Sequence, residues 1–255
     1  MMEKADIPFL SVSQLSELIK SRQVSPVEVV EGYLERIDRL NDRLYAYLTV
    51  CRDQAVEAAR ASERELARGT YRGPFHGVPV AVKDQLNTAG IRTTCGTPIF
   101  NDVVPDEDAT VIAKLKSAGA ILLGKLNMTE FGTTSLSHAF DTARNPWDLE
   151  RFTGGSSSGS GGATAAFMCA TSLGEDTGFR AWARRLVRVG GAQAHLGPRQ
   201  PAWSQARHVV HGHYRSPVSN GGRLRPHPSG HRRSRSQRRL HVGCARARLP
   251  SRSGR

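Results

Sequence analysis

No carboxylate side chain follows Asp176, and this confines ordinary globular composition to the first two thirds of the chain. All 23 Asp and Glu lie in residues 1–178 together with 18 Lys and Arg, for a formal charge of −5. Residues 179–255 hold 18 Arg, no Lys and no carboxylate, for +18, so the net +13 of the chain joins two unlike parts. Seven of the nine His also fall in the second part. Like charges with no internal partner repel one another, and the apolar content there is too small to offset the entropy lost on ordering. The expectation for residues 179–255 is an Arg-rich, disordered C-terminal tail.

The first 178 residues contain enough Val, Ile, Leu and Ala to bury a core. The opening Met-Met-Glu-Lys-Ala-Asp has neither the basic n-region nor the apolar h-region of a signal peptide. No apolar run reaches the roughly 18–20 residues needed to span a bilayer. Cys51, Cys95, Cys169 and Cys244 are widely scattered and form no Cys-x-x-Cys pair, which indicates neither a disulfide framework nor a zinc site. The tail histidines, His211 and His213 among them, lack the supporting carboxylate or Cys spacing of a metal site. These features describe a cytoplasmic protein with reduced thiols, no cofactor, no metal and no membrane partner.

Local patterns give the order of elements. Ser11 followed by Gln14 reads as a capping box with Leu15, Leu18 and Ile19 behind it. Ser25-Pro26-Val27-Glu28 is a stronger helix start, with Ser as N-cap, Pro at the first helical position and Glu three residues after the cap. Val30, Tyr33, Leu34, Ile37 and Leu40 then recur at helical spacing. A strand over 44–50 and a long helix near 53–68 follow. The apolar run 78–82, bounded by Gly77 and by Lys83-Asp84, predicts a strand buried in a sheet. Asp108 is placed to cap a helix carrying Val111, Ile112 and Leu115 that ends at Gly119, and 120–123 reads as another buried strand. Residues 163–173, small and apolar, predict a helix buried on most sides. Strands alternating with helices argue for an α/β core, a sheet covered by helices. The chain thus divides into a helical region (1–70), a partial α/β core (71–178) and the tail (179–255).

Two features carry chemistry. Lys83 lies at the C-terminal end of an apolar strand, where open α/β sheets place their sites. Desolvation there lowers the pKa of an amine and favours a neutral, proton-accepting form. Taken alone, a Lys after a strand is more often a surface residue with its stem along the sheet. The second feature is the run Gly154-Gly155-Ser156-Ser157-Ser158-Gly159-Ser160-Gly161-Gly162-Ala163. Such a run can be a flexible linker, but this one leads straight into the small-residue helix. A Gly/Ser loop that opens a helix can present N–H groups and hydroxyls to developing negative charge. The Gly-Lys-Ser/Thr ending of a nucleotide P-loop is missing.

In combination they are far more specific. Gly77-Val78-Pro79-Val80-Ala81-Val82-Lys83-Asp84, then Gly124-Lys125-Leu126-Asn127-Met128-Thr129-Glu130-Phe131-Gly132, then Asn145-Pro146-Trp147-Asp148, then the Gly/Ser run, resembles the amidase signature family of amide hydrolases from about Leu10 to Gly178. The resemblance implies the N-terminal portion of that family's fold, a mixed sheet covered by helices. It implies a triad of Lys, a Ser in a cis peptide and a second, nucleophilic Ser. By position, Lys83 is then the general base, Ser156 the cis-Ser that relays the proton, and Ser157 the residue holding the loop. Backbone N–H groups at Thr177 and Gly178 become the oxyanion-hole candidates. The reaction implied is acyl transfer from a small-molecule amide through an acyl-enzyme.

The resemblance stops where the charge changes. The family's nucleophile is expected 24 residues after Ser156, in a segment reading Asp-Thr-Gly-Gly-Ser, whereas this chain has Asp176-Thr177-Gly178-Phe179-Arg180. Arg180 stands where the attacking hydroxyl belongs, which leaves the chain without its nucleophile and truncated as an amidase. Codons allowed for Ala192 to Ser204, read one base later, can encode Leu-Lys-Pro-Thr-Trp-Gly-Leu-Val-Ser-Arg-His-Gly. Those from Val210 to Leu224 can encode Ser-Met-Asp-Thr-Ile-Gly-Pro-Leu-Ser-Arg-Thr-Val-Ala-Asp, and Gly178 to Trp182 permits Gly-Ser-Ala-Arg-Gly. These are family-like segments in family order, which reads as a frameshift near codon 178. Two other readings use the same residues. One is an amidotransferase A-type subunit, working on charged tRNA, which shares every motif above. The other is a nucleic-acid-binding protein with a basic arm, whose Arg232-Arg233-Ser234-Arg235-Ser236 resembles an arginine-serine segment. Without such a role, the tail retains only non-specific polyanion binding. A companion subunit gene nearby would favour the amidotransferase. Sequencing the gene across this junction separates the frameshift from the basic arm: the frameshift reading expects the neighbouring frame to spell these segments, and codons that do not spell them contradict it.

Overall fold

Two helices begin where side chains satisfy backbone N–H groups left unpaired by the first turn. A computed structural model of the protein describes residues 4–133, 139–176, 191–193 and 207–212. Helix α1 (Val12–Lys20) starts at Ser11, whose side chain accepts from the Gln14 N–H while Gln14 accepts from the Ser11 N–H at 3.0 Å. Helix α2 (Pro26–Leu44) has the same reciprocal box between Ser25 and Glu28, with Pro26 inside its first turn. Its buried stripe of Val30, Tyr33, Leu34 and Ile37 faces the core, and the helix stops at Tyr45 in a left-handed conformation. After strand β1 (Tyr47–Val50), helix α3 (Arg52–Ala67) packs back along α2.

The remaining elements are β2 (Pro79–Lys83), α4 (Thr110–Ser117), β3 (Ile121–Leu126), the short hairpin β4 (Arg144–Asn145) and β5 (Asp148–Phe152), α5 (Ser158–Ala165), β6 (Thr171–Asp176), β7 (Gly191–Gln193) and β8 (Arg207–Gly212). The main sheet runs β1-β3-β2-β6-β8-β7. β2 lies parallel to both β3 and β6, with all five of its residues buried, which explains why its sequence reads as an unbroken apolar run. One core cluster joins α1–α3 to the sheet and to the turn after α5, with Leu15, Ile19, Tyr33, Leu34, Leu123 and Met168 fully enclosed. A smaller cluster of Val82, Leu86, Ile112 and Leu173 sits under α4.

Two expectations are corrected. Asp108 does not cap α4. Its carboxylate accepts from Lys116 Nζ and from the Ala89 N–H, both at 2.8 Å, and these partners, one of them charged, outcompete the N–H groups of the helix. The helix expected over 163–173 starts earlier and ends earlier, at Ala165. The chain turns at Phe167 (φ 57°), the Ala170 N–H donates to Pro79 O at 3.2 Å, and 171–176 continue as a strand beside β2. Small apolar residues suit a buried helix or a buried strand equally, and the free edge of β2 decides.

β8 pairs antiparallel with β6 from Thr171↔Gly212 to Asp176↔Arg207, and β7 pairs with β8. The outer edge of β6 would otherwise present a row of unpaired backbone groups, and ladder hydrogen bonds to it need no apolar core. The rest of 177–255 lies outside the described residues.

Among the described residues, no helix is long and apolar enough to cross a membrane. Cys51 and Cys169 are buried free thiols, and Cys95 is buried as well. The Gly/Ser run is no linker, because every residue of α5 is buried. At Gly159 the fit is closest: its N–H donates to Asn127 O at 2.8 Å, and a Cβ there would overlap Ala46 O and Asn127 N. Gly159→Ala is therefore expected to cost about 2–3 kcal/mol. Gly32→Ala, whose added carbon meets Lys4 O at 3.7 Å, is the contrast; it is expected to be neutral or to add up to about 1 kcal/mol. Urea unfolding followed by circular dichroism compares the two, and equal stabilities would contradict a packed α5.

Candidate active site

Lys83 ends the central strand β2 between β3 and β6, and its side chain is fully enclosed. Its Nζ donates to Ser156 Oγ at 2.7 Å. The peptide between Gly155 and Ser156 is cis. The Ser156 carbonyl accepts from the Thr129 N–H at 3.1 Å, and a Cβ on Gly155 would come within 2.7 Å of Thr129 Cγ2. The segment after β3 therefore forms the seat on which this peptide rests. Ser157 precedes α5 and is clamped to β6. Its Oγ accepts from the Glu175 N–H at 3.0 Å and donates to Glu175 O at 3.1 Å.

Of the residues singled out by sequence, Lys83, Ser156 and Ser157 are thus brought together. Thr177, Gly178, Phe179 and Arg180 lie outside the described residues. Sequence reasoning missed Glu175 and Gln85. Glu175 Oε2 lies 3.5 Å from Lys83 Nζ and also accepts from Gln85 Nε2. The only signal for it was a charged residue near the end of the small, uncharged stretch Thr171-Ser172-Leu173-Gly174.

A second polar cluster backs the site. Asp84 accepts from the Thr94 N–H at 2.9 Å and from Thr94 Oγ1. Lys125 Nζ donates to Leu86 O at 2.8 Å and to Thr93 Oγ1, and it lies 3.5 Å from Asp84 Oδ1. Burial pushes the Asp84 carboxyl above its ordinary range and the Lys125 ammonium below, while the charge of each partner opposes the shift. The pair pins the loop through Thr94 and Cys95. That loop holds the segment after β3 through Phe131 N–H to Cys95 O at 2.9 Å and through the close approach of Gly96 to Met128. Asp84 and Lys125 thus support, at one remove, the seat of the Gly155–Ser156 peptide.

Parallel strands converging on a buried Lys–Ser contact, with a Gly/Ser loop entering a helix beside it, define the core of an amide hydrolase fold. The family model described as amidase matches residues 28–178. The chain belongs to the amidase family. It is 45% identical over 175 residues to the A-type subunit of the glutamyl-tRNA(Gln) amidotransferase of Carboxydothermus hydrogenoformans, covering 68% of this chain and 36% of that protein. It is 44% identical over 177 residues to the putative amidase AmiD of Mycobacterium tuberculosis, covering 69% and 37%. Among solved structures, the native peptide amidase of Stenotrophomonas maltophilia superposes with a TM-score of 0.61 at 31% identity, covering 66% of this chain and 36% of that one. A crystal structure described as an amidase gives 0.68 at 30% identity, covering 80% and 48%. The chain spans little more than a third of the length of the curated relatives it matches.

Removing one member of a buried ion pair strands the other charge, at a cost of about 3–5 kcal/mol. Asp84→Asn is expected to lose stability on that scale, and Asp84→Asn combined with Lys125→Met to regain much of it. A double-mutant cycle of unfolding free energies is the check, and additive losses would show that the two charges do not support each other.

Proposed function

We propose that residues up to 178 build the proton-transfer half of an amide-cleaving site which this chain does not complete. The observation that carries the reading is the 2.7 Å contact from Lys83 Nζ to Ser156 Oγ beside a cis Gly155–Ser156 peptide. Lys83, once neutral, takes the proton of an attacking hydroxyl through Ser156, and Ser157 holds the relay in place. By the family resemblance, the backbone N–H groups of Thr177 and Gly178, outside the described residues, take the role of oxyanion hole for a small carboxylic amide. In the sequence, Arg180 stands where the family pattern has the attacking Ser. A guanidinium stays protonated at any working pH and has no lone pair to offer, so no acyl-enzyme forms there.

The relatives divide, at nearly equal identity, between a putative amidase and one subunit of an amidotransferase. Cleavage of an amide C–N bond is the chemistry they share, and it is proposed here without choosing between them. The +18 of residues 179–255 supports salt-sensitive, non-specific attraction to polyanions. The buried free thiols of Cys51 and Cys169 fit a reducing, cytoplasmic setting.

Release of amine from simple aryl and alkyl amides tests the reading. The purified chain is expected to give no turnover above the blank, and turnover at ordinary enzyme rates, about 1–10³ per second, would contradict it. A gene product with the neighbouring frame restored after codon 178 is expected to cleave amides. Lys83→Met in that product is expected to lose roughly 10²–10⁴-fold of the rate, as for a general base.

A further inference from the structure

We infer that Glu175 holds Lys83 in its ammonium form and so sets the pH above which Lys83 can accept a proton. The role rests on the reading of Lys83 as the base, and it adds a positioning residue that the motif carrying that reading does not contain. The carboxylate lies 3.5 Å from Nζ, with the Lys83 side chain fully buried and that of Glu175 only 13% exposed, so little water screens the pair. A carboxylate at that range favours the ammonium form of Lys83.

Glu175 is also fixed in place. Ser157 Oγ brackets its backbone on both sides, and Gln85 Nε2 donates to the same oxygen that faces Lys83. Gly132 closes the group from the segment after β3, where a Cβ would stand 3.3 Å from Gln85 Oε1, 3.7 Å from Glu175 Oε2 and 3.9 Å from Lys83 Nζ.

Among the described side chains, the other charges on neighbouring elements are turned elsewhere. On β2 the carboxylate of Asp84 points to Thr94 and Lys125, and on β3 the Lys125 ammonium points to Leu86 and Thr93. The loop leading into α5 offers hydroxyls, Ser156 and Ser157, and no charge. Glu130, next to Phe131 and Gly132, is partly exposed. Burial and Glu175 therefore act on Lys83 in opposite directions, burial toward the neutral amine and the carboxylate toward the ammonium.

The chain has six lysines, few enough to resolve individually. Lysine 13Cε shifts of the full chain, followed against pH with the Lys83 signal assigned by Lys83→Arg, read the protonation of this side chain directly. Glu175→Gln is expected to lower the Lys83 midpoint by about one pH unit or more. A midpoint that stays in place or rises overturns the inference, since a merely structural Glu175 would change stability and not this titration. If glutamine is not tolerated beside Gln85, Glu175→Ser carries the same expectation and the same contrary result. The spectrum reads protonation and not turnover, so a failure here leaves the amide-cleavage reading standing. Failure of that reading shows separately, as an inactive frame-restored product.

Discussion

The first turn of α5 rests directly on the backbone of Ala46 and Asn127, and nothing larger than the hydrogen of Gly159 fits between them. This approach fixes the start of the helix against the strand ends. Once α5 is seated, the residues just before it have little freedom. Ser157 falls against the backbone of β6, and the Gly155–Ser156 peptide falls against Thr129. The Lys83–Ser156 contact follows from that seating, because the β2 end and the α5 start meet at the same edge of the sheet. The glycines of the run serve close packing here, and the serines serve as clamps.

Placing chemistry at this edge brings charge into a region with almost no water. Lys83, Asp84 and Lys125 are all fully buried, within a few residues of one another in the sheet. Isolated buried charges would cost several kcal/mol each, so each is held against a partner of opposite sign or several polar groups. Lys125 and Asp84 serve each other and the loop through Thr94, which backs the Thr129 seat. Lys83 faces outward along the strand axis to Ser156 and Glu175. Two lysines on adjacent parallel strands thus take different tasks, one supporting the loops and one facing the hydroxyl of Ser156.

Much of this was legible in the sequence wherever the signal is local. Ser11 with Gln14 and Ser25 with Glu28 start helices because capping needs only four consecutive residues. The 78–82 run gave β2, and the four motifs gave the Lys83–Ser156–Ser157 grouping. What failed depends on distant partners. Asp108 looked like a cap, but a lysine two turns away and an amide nineteen residues back claimed its oxygens. Residues 163–173 had the composition of a buried helix, and only the free edge of β2 makes their second half a strand. Glu175 was overlooked because its meaning lies in a lysine 92 positions earlier.

Hydrogen exchange at two amides tests the seating of α5 most directly. The Gly159 N–H donates to Asn127 O at 2.8 Å and the Thr129 N–H to Ser156 O at 3.1 Å, joining the helix start to the segment after β3. If that junction holds the site together, both amides exchange only through the largest, near-global opening of residues 4–176. Exchange of either amide as fast as in an exposed loop would contradict the account.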